Sequence, residues 1–305
     1  MDEKEHEDRS TYLGSHDTSA IVGDNPFMNR MDVYLAKKKL TDGIEQTERM
    51  TWGLKLQPQI LDAFSERKGV ELEPERFIRH KKLTWFGGTP DGTIKGRKEG
   101  VDAKCIRFAG DDWGDEDTDQ VPRYILWQCH HFMTLMNYDR WHVAALVGGQ
   151  ELRCYKVERD KELSDMIIEA DRAFWEEHVL KEIPPEIDGS GSAKTYLDKK
   201  YVSHDEEIRV ATDAEADLML KLKDARTQLE EARALELLYQ NKLRQAIGEN
   251  AGLASEYGKI TWKQQKGRMT FDSRSLQLEN KELYEKYLKQ GEPMRVFRVN
   301  FTEGK

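Results

Sequence analysis

The stretch GTPDGTIKGRKEGVDAKC, residues 88–105, sets Asp91 directly after a proline, and Asp102 eleven residues later, two positions before Lys104. Residues i and i+2 of a strand share a face, so Asp102 and Lys104 point the same way if this segment is extended. Strands over 92–95 and 100–106, separated by a glycine-rich turn, would form a hairpin that brings Asp91 near that face. Two carboxylates held close together repel unless a cation neutralises them. Mg²⁺ is satisfied by one or two carboxylates together with water and phosphate oxygens. A lysine beside such an ion can orient or deprotonate an attacking water and can neutralise charge on a transition-state phosphate. Metal-assisted hydrolysis of a phosphodiester accounts for all three residues. The spacing alone is equally that of an Asp-Gly turn followed by a half-exposed strand.

The flanking pattern supplies the elements that must hold these groups. Residues 1–10 read as a disordered start. Short helices are predicted over 17–22 and 29–39. A longer one is predicted over 51–68, where Trp52, Leu56, Ile60, Leu61 and Phe64 recur at helical steps and Gly69 closes the run. Strands are predicted over 83–87, 92–95 and 100–106, then an acidic loop over 111–119. A helix over 122–136 has Pro122 in its first turn. A hairpin spans 141–147 and 151–157 around Gly148-Gly149. A helix over 161–181 follows, ending near Pro184-Pro185.

The polar segment 187–196 is the best boundary, giving a nuclease-type core at 1–186, a linker at 187–212 and a C-terminal segment at 213–305. That segment opens with a helix over 213–247. Its Leu218, Leu222, Ala225, Leu229 and Ala232 alternate by four and three in a coiled-coil-like seam. A strand over 259–264, a helix over 275–288 and a strand over 294–301 complete the prediction. The fold class is α/β, with a mixed central sheet flanked by helices, a long C-terminal helix and a small α+β extension.

Composition excludes some classes. The chain has 305 residues, 38% hydrophobic and 34% charged, which suits a soluble globular protein. No run of about 18 apolar residues exists to span a membrane, and MDEKEHEDRS lacks the apolar core of a signal peptide. Cys105, Cys129 and Cys154 are too few for a disulfide framework or a four-thiolate cluster and fit a reducing cytosol. The net charge of −9 argues against general nucleic-acid binding. The charge is uneven, however. Lys37–Lys39 and the cluster Arg76, Arg79, His80, Lys81 and Lys82 are basic, while six carboxylates fall between Asp111 and Asp119.

Pro90-Asp91 and Asp102-Ala103-Lys104 resemble the PD-(D/E)XK nuclease signature. More specifically, the first two hundred or so residues resemble the YqaJ-type viral recombinase family, whose relatives include phage lambda exonuclease. The pieces occur in order: Arg9 followed by LGSHDTSAIVGDNPF, then WGLKLQPQILDAF, TPDG, VDAK, VPRYILWQCHHFM and HVAALVGGQELRCYKV. The resemblance implies a restriction-endonuclease-like core that degrades linear double-stranded DNA from an end, 5′ to 3′, in phage-type recombination. It implies Mg²⁺ or Mn²⁺ on Asp91 and Asp102, with Lys104 assisting the water and Gln128, on the helix after the core, in the active site. Arg9, Ser15 and His16 would hold a terminal phosphate. It further implies a ring-shaped homo-oligomer, a trimer, working beside a single-strand annealing protein in the cytoplasm of a bacterial host.

Two departures stand out. Gln57 occupies the third ligand place, where the family has glutamate; an amide offers a carbonyl oxygen to a metal but no charge. His16 falls where the family commonly has serine, with Ser15 one position earlier. Gln57 supports an alternative, a DNA-end-binding or assembly module that has kept the fold with weakened or absent chemistry. A nicking or site-specific endonuclease on the same core is a further alternative. The cluster Arg76, Arg79, Lys81 and Lys82 suits contact with the DNA backbone, as Lys37–Lys39 could. Trp113 in the acidic loop is a candidate to stack on a DNA end. The adjacent His130 and His131 face different sides of a helix, and His131 reads as structural.

Overall fold

A computed structural model of the chain describes residues 8–41, 46–291, 294–299 and 301. Residues 1–200 form the first of two units. It opens with α1 (Ser15–Ile21), α2 (Arg30–Lys37), α3 (Glu48–Lys68), β1 (Leu72–Glu73), β2 (Ile78–Arg79), β3 (Gly87–Gly88) and β4 (Gly92–Ile94). It continues with β5 (Glu99–Ile106), α4 (Arg123–Met136), β6 (Arg140–Val147), β7 (Glu151–Glu158), α5 (Lys161–Phe174) and α6 (Gly191–Lys200). One mixed sheet runs in the order β1-β4-β5-β6-β7. β5 and β6 are parallel and the other neighbours antiparallel. A parallel pair cannot be joined by a tight hairpin, and α4 forms the crossover.

The apolar run of β6 suits an interior strand, because both its faces are covered. Trp141, Val143 and Ala145 pack with Tyr155 and Val157 against α4 and α5. Ala144, Val101 and Cys154 face the other way and meet Ile60 and Phe64 of α3. The helices on the two faces thereby fix the sheet from both sides. α3 starts where the Thr47 hydroxyl accepts from the Met50 amide, and ends at Gly69 with φ 61°. α4 starts with Pro122 in the cap position, one residue before the first turn, and ends at Asn137 with φ 54°.

Several elements differ from the sequence reading. Residues 83–86 form a turn closed by Phe86 N–H to Leu83 O at 2.9 Å, so only Gly87–Gly88 is strand there, paired with β2. The two-residue strands β1 and β2 are too short to leave a period-2 signal. After Phe174 the chain continues as a π-helical turn, Trp175–Leu180. The expected linker is replaced over its middle by α6, which buries Ala193 and Tyr196 against the α1–α2 cluster. Tyr196 meets Tyr34 edge-on at 6.3 Å. Glycine and serine at 189–192 suggest a linker, but Ala193, Tyr196 and Leu197 form a short helical stripe that packs. Residues 9–11 form a 3₁₀ turn rather than continuing a disordered start, and residues 1–7 lie outside the described residues.

The second unit, residues 201–305, has no helix or strand before α7 (Asp213–Ile247). Thr212 and Glu215 form a capping box at its start. Leu218 and Leu229 of the expected seam are exposed. β8 (Gly252–Ser255) and β9 (Gly258–Thr261) form a hairpin. The helix expected over 275–288 is two helices, α8 (Ser273–Glu279) and α9 (Lys281–Tyr287), because the Asn280 side chain caps the second by accepting from Leu283 N–H. No strand occurs at the described residues of 294–301. Among the described residues no helix is long and apolar enough to cross a membrane.

Candidate active site

A cleft of about 660 Å³ opens in the first unit. Asp91, Asp102, Lys104 and Gln57 all line it, together with Arg9, Ser15 and His16. β5 presents Asp102 and Lys104 on one face, as the period-2 rule requires. Asp91 stands just before β4, whose antiparallel register pairs Gly92 with Val101. One further step of that register sets Asp91 beside Asp102. Asp91 Oδ2 accepts from Ala103 N–H at 2.8 Å.

Asp102 is buried and held at both oxygens. Trp141 Nε1–H donates to Oδ1 at 3.3 Å and Lys104 Nζ to Oδ2 at 3.2 Å. The indole reaches it by lying across β5 at Gly100, where a Cβ would stand 2.3 Å from the Trp141 ring. Lys104 also donates to Gln128 Oε1 at 3.0 Å. Gln128 is buried and lies outside the cleft lining, so it steadies Lys104 from behind. Desolvation opposes the Lys104 charge, but Asp102 and Asp91 outweigh it and raise its pKa. Lys104 is therefore an ammonium at neutral pH, suited to stabilising charge and unsuited to accepting a proton. Burial, then the neighbouring Asp102 charge, push Asp91 up to about 7.

This donor set fits a divalent cation of the Mg²⁺ type. Two carboxylates repel across a shared cleft, and an amide oxygen and water can complete the shell. No group of three or more His, Cys, Asp or Glu placed to hold a metal occurs among the described residues, so position 57 being glutamine is felt directly.

The wall that carries Arg9, Ser15 and His16 is built by a buried polar frame. Asp17 Oδ2 accepts from Gly14 N–H at 2.8 Å and from Lys37 Nζ at 2.6 Å. Lys37 also donates to Arg9 O at 2.9 Å, tying the Arg9 turn to α1. Ser15 is buried at the cleft wall and His16 is exposed at its mouth. Desolvation and the charge of Lys104 lower the His16 pKa to about 4, leaving a neutral imidazole. His131 is structural, with Nδ1 2.8 Å from Thr18 Oγ1 and Nε2 3.0 Å from Gly87 O.

The basic clusters divide. Lys37 is buried against Asp17, while Lys38 and Lys39 pair with Glu182 and Asp8; this run holds the fold together. Arg76 lines this cleft, and Arg76, Lys81 and Lys82 also line an adjoining cavity of about 930 Å³. Arg79 borders that cavity, but its guanidinium donates to Thr11 Oγ1 at 2.8 Å and Thr84 O at 2.7 Å. It also stacks on Tyr12 and Phe77, each at 5.4 Å. Its role is to knit the wall together. Trp113 packs half-buried against Tyr155 at 5.1 Å and forms part of the core, which removes it as a stacking platform. In the acidic loop, Glu116 and Asp117 pair with Arg67 and Lys68 at the end of α3.

Sequence reasoning missed Glu75 and Phe132, which also line the cleft. Glu75 is one of several acids in ELEPER, with no pattern to single it out. Phe132 was legible only as a core residue of α4. It reaches the cleft because β3 beside it carries no side chains: a Cβ on Gly88 would stand 2.9 Å from its ring.

The mixed sheet brings Asp91, Asp102 and Lys104 to one cleft, as their spacing predicts. Residues 6–139, within the first unit, match the model of the YqaJ-like viral recombinase domain. The chain is 29% identical over 199 residues to a protein of Bacillus subtilis (strain 168) described as uncharacterized protein YqaJ. The alignment covers 64% of this chain and 61% of that protein's length. Among solved structures, the alkaline exonuclease LHK-Exo from Laribacter hongkongensis, also solved with dAMP, aligns at a TM-score of 0.46. Its identity is 17–18%, over 57% of this chain and 90% of that one. A phage-related exonuclease from Haemophilus somnus 129PT aligns at 0.43 with 14% identity, over 56% of this chain and 96% of that one.

Proposed function

We propose that the first unit is a divalent-metal-dependent exonuclease acting on the ends of linear double-stranded DNA. The observation that carries this reading is the convergence of Asp91, Asp102, Gln57 and Lys104 in one cleft, together with Arg9, Ser15 and His16. Asp91, Asp102 and the Gln57 carbonyl would hold Mg²⁺ or Mn²⁺. When bound, that ion polarises the phosphate and lowers the pKa of water. Lys104, kept protonated by two carboxylates and steadied by Gln128, stabilises charge on the scissile phosphate and orients the attacking water. Arg9 clamps the terminal phosphate, with Ser15 and neutral His16 offering hydrogen bonds. Arg76, Lys81 and Lys82 carry the flanking backbone, and Arg79 serves their wall. Digestion from 5′ ends, a trimeric ring, a single-strand annealing partner and a role in phage recombination in the bacterial cytoplasm complete the proposal. These rest on the family resemblance.

The deciding experiment incubates the protein and Mg²⁺ or Mn²⁺ with 5′-phosphorylated linear duplex and, separately, with a covalently closed circle. Nucleotide release from the linear substrate alone is expected. Cleavage of the circle would point to an endonuclease. Gln57 favours a second reading, an end-binding module with weakened chemistry. End binding that persists in Asp102→Ala and Lys104→Ala, with no cleavage by the unaltered protein in any metal, would establish it.

A further inference from the structure

The tract YGKITWKQQKGRMTF, residues 257–271, carries Lys259, Lys263, Lys266 and Arg268 and no carboxylate, in a chain whose net charge is −9. It belongs wholly to the second unit. Tyr257 stands in the turn between β8 and β9, Lys259 lies on β9, and residues 262–271 run on with no helix or strand. Trp262 N–H donates to Ala251 O at 3.0 Å, which fixes the start of that run beside the hairpin. The aromatic rings are open to water: Tyr257 is 92% exposed, Phe271 77% and Trp262 52%. All four cations are exposed, and among the described residues none is in an ion pair. Elsewhere in the unit Arg209, Lys221 and Lys281 pair with Glu215, Asp217 and Glu285. At its end the tract meets a second feature. Phe271 lines a cavity of about 520 Å³ together with Tyr284 and Tyr287 of α9 and with Lys289.

We infer that this tract is a binding surface for single-stranded DNA, its cations meeting phosphates and Tyr257, Trp262 and Phe271 stacking on bases. Exposed rings alone would suit an apolar protein partner. Four unpaired cations with no acid among them ask for a polyanion. In a duplex each base face is covered by its neighbour, so an unpaired strand is what offers bases to a ring. An anionic lipid surface is met by an amphipathic helix with its cations on one side, and this tract is not helical. The cavity at Phe271 sets further rings and a lysine at one end of the same path, a place for a base and its phosphate. The proposed nuclease makes such a strand, because removing one strand from a duplex end leaves its complement unpaired. That the ligand is DNA rests on the nuclease reading; that it is unpaired rests on the tract.

The test is binding of fluorescently labelled oligothymidylate to the full chain, followed by anisotropy with divalent metal chelated so that nothing is digested. Trp262→Ala should weaken binding about tenfold and leave the affinity for a blunt duplex of equal length unchanged. The pair Lys263→Ala/Lys266→Ala should lower the slope of log K against log salt by about 1.4. Circular dichroism checks that Trp262→Ala is folded, and the exposed lysine pair probes the surface without touching the hairpin. Oligothymidylate affinity and salt slope unchanged in both variants would overturn the inference, as would an equal loss of duplex affinity in Trp262→Ala. Tighter binding of oligouridylate than of oligothymidylate would overturn the assignment to DNA. Nucleotide release from linear duplex by the unaltered protein is read separately, so the nuclease reading stands or falls by itself.

Discussion

Asp171 offers a quantitative test of the buried polar frame behind α1. It is buried on α5 with Oδ2 2.6 Å from Thr18 Oγ1. Thr18 in turn lies 2.8 Å from His131 Nδ1, and His131 Nε2 lies 3.0 Å from Gly87 O. A carbonyl can only accept, so Nε2 carries the ring proton. Burial holds the His131 pKa near 4, so the ring is neutral and Nδ1 accepts from the Thr18 hydroxyl. Thr18 Oγ1 is then an acceptor toward Asp171, which must carry a proton. Burial raises the Asp171 pKa to about 8, in agreement. The 4.0 Å approach of His131 to Asp171 is thus between neutral groups.

The sign follows from linkage. Asp171 binds a proton in the folded state up to about pH 8, but in the unfolded chain only up to about 3.8. Between those values the folded state holds the extra proton, so stability falls as pH rises, by at most about 1.4 kcal/mol per unit. Asp171→Asn keeps the shape and removes the titration. Urea melts at pH 5, 6 and 7, followed by tryptophan fluorescence, report mainly on the first unit, which holds every tryptophan except Trp262. The unaltered protein should lose about 1 kcal/mol per unit relative to the variant. Parallel pH profiles, or a relative gain by the unaltered protein as pH rises, would refute the protonated-aspartate chain.

Asp102→Asn should lower nucleotide release from linear duplex at least about a hundredfold while end binding, followed by fluorescence anisotropy, persists. Gln128→Leu should cut kcat about tenfold with KM little changed, because it loosens Lys104 without touching DNA; steady-state kinetics separates the two. Lys37→Met strands buried Asp17 without its partner, and a loss of about 3–5 kcal/mol in urea melts is expected. The Lys81→Ala/Lys82→Ala pair should reduce the slope of log K against log salt for duplex binding by about 1.8.

The acid–lysine pair was legible because a strand's period of two is strict: once residues 100–106 are extended, Asp102 and Lys104 have no choice of face. The long helix α3 and the hairpin β6–β7 were legible for the same kind of reason, apolar periodicity between clear stops. What escaped depended on distant partners. Lys37–Lys39 look like a solvated basic patch until Asp17, Glu182 and Asp8 are brought alongside. Arg79 looks like a phosphate ligand until Thr11 and Thr84 take up its donors. α6 hides behind glycine and serine because its few apolar residues matter only against α2. Glu75 carries no local signal, and its place depends on strands two residues long.

The absent side chain at Gly88 leaves room in the cleft lining for Phe132. On the same two-residue strand, a Cβ at Gly87 would strike the Ile78 carbonyl at 2.9 Å, rigid main chain; at Gly88 it would press on the Phe132 ring, which can turn. A single methyl at residue 88 would therefore press on a ring that lines the cleft and stacks on Trp141, the residue whose indole holds Asp102.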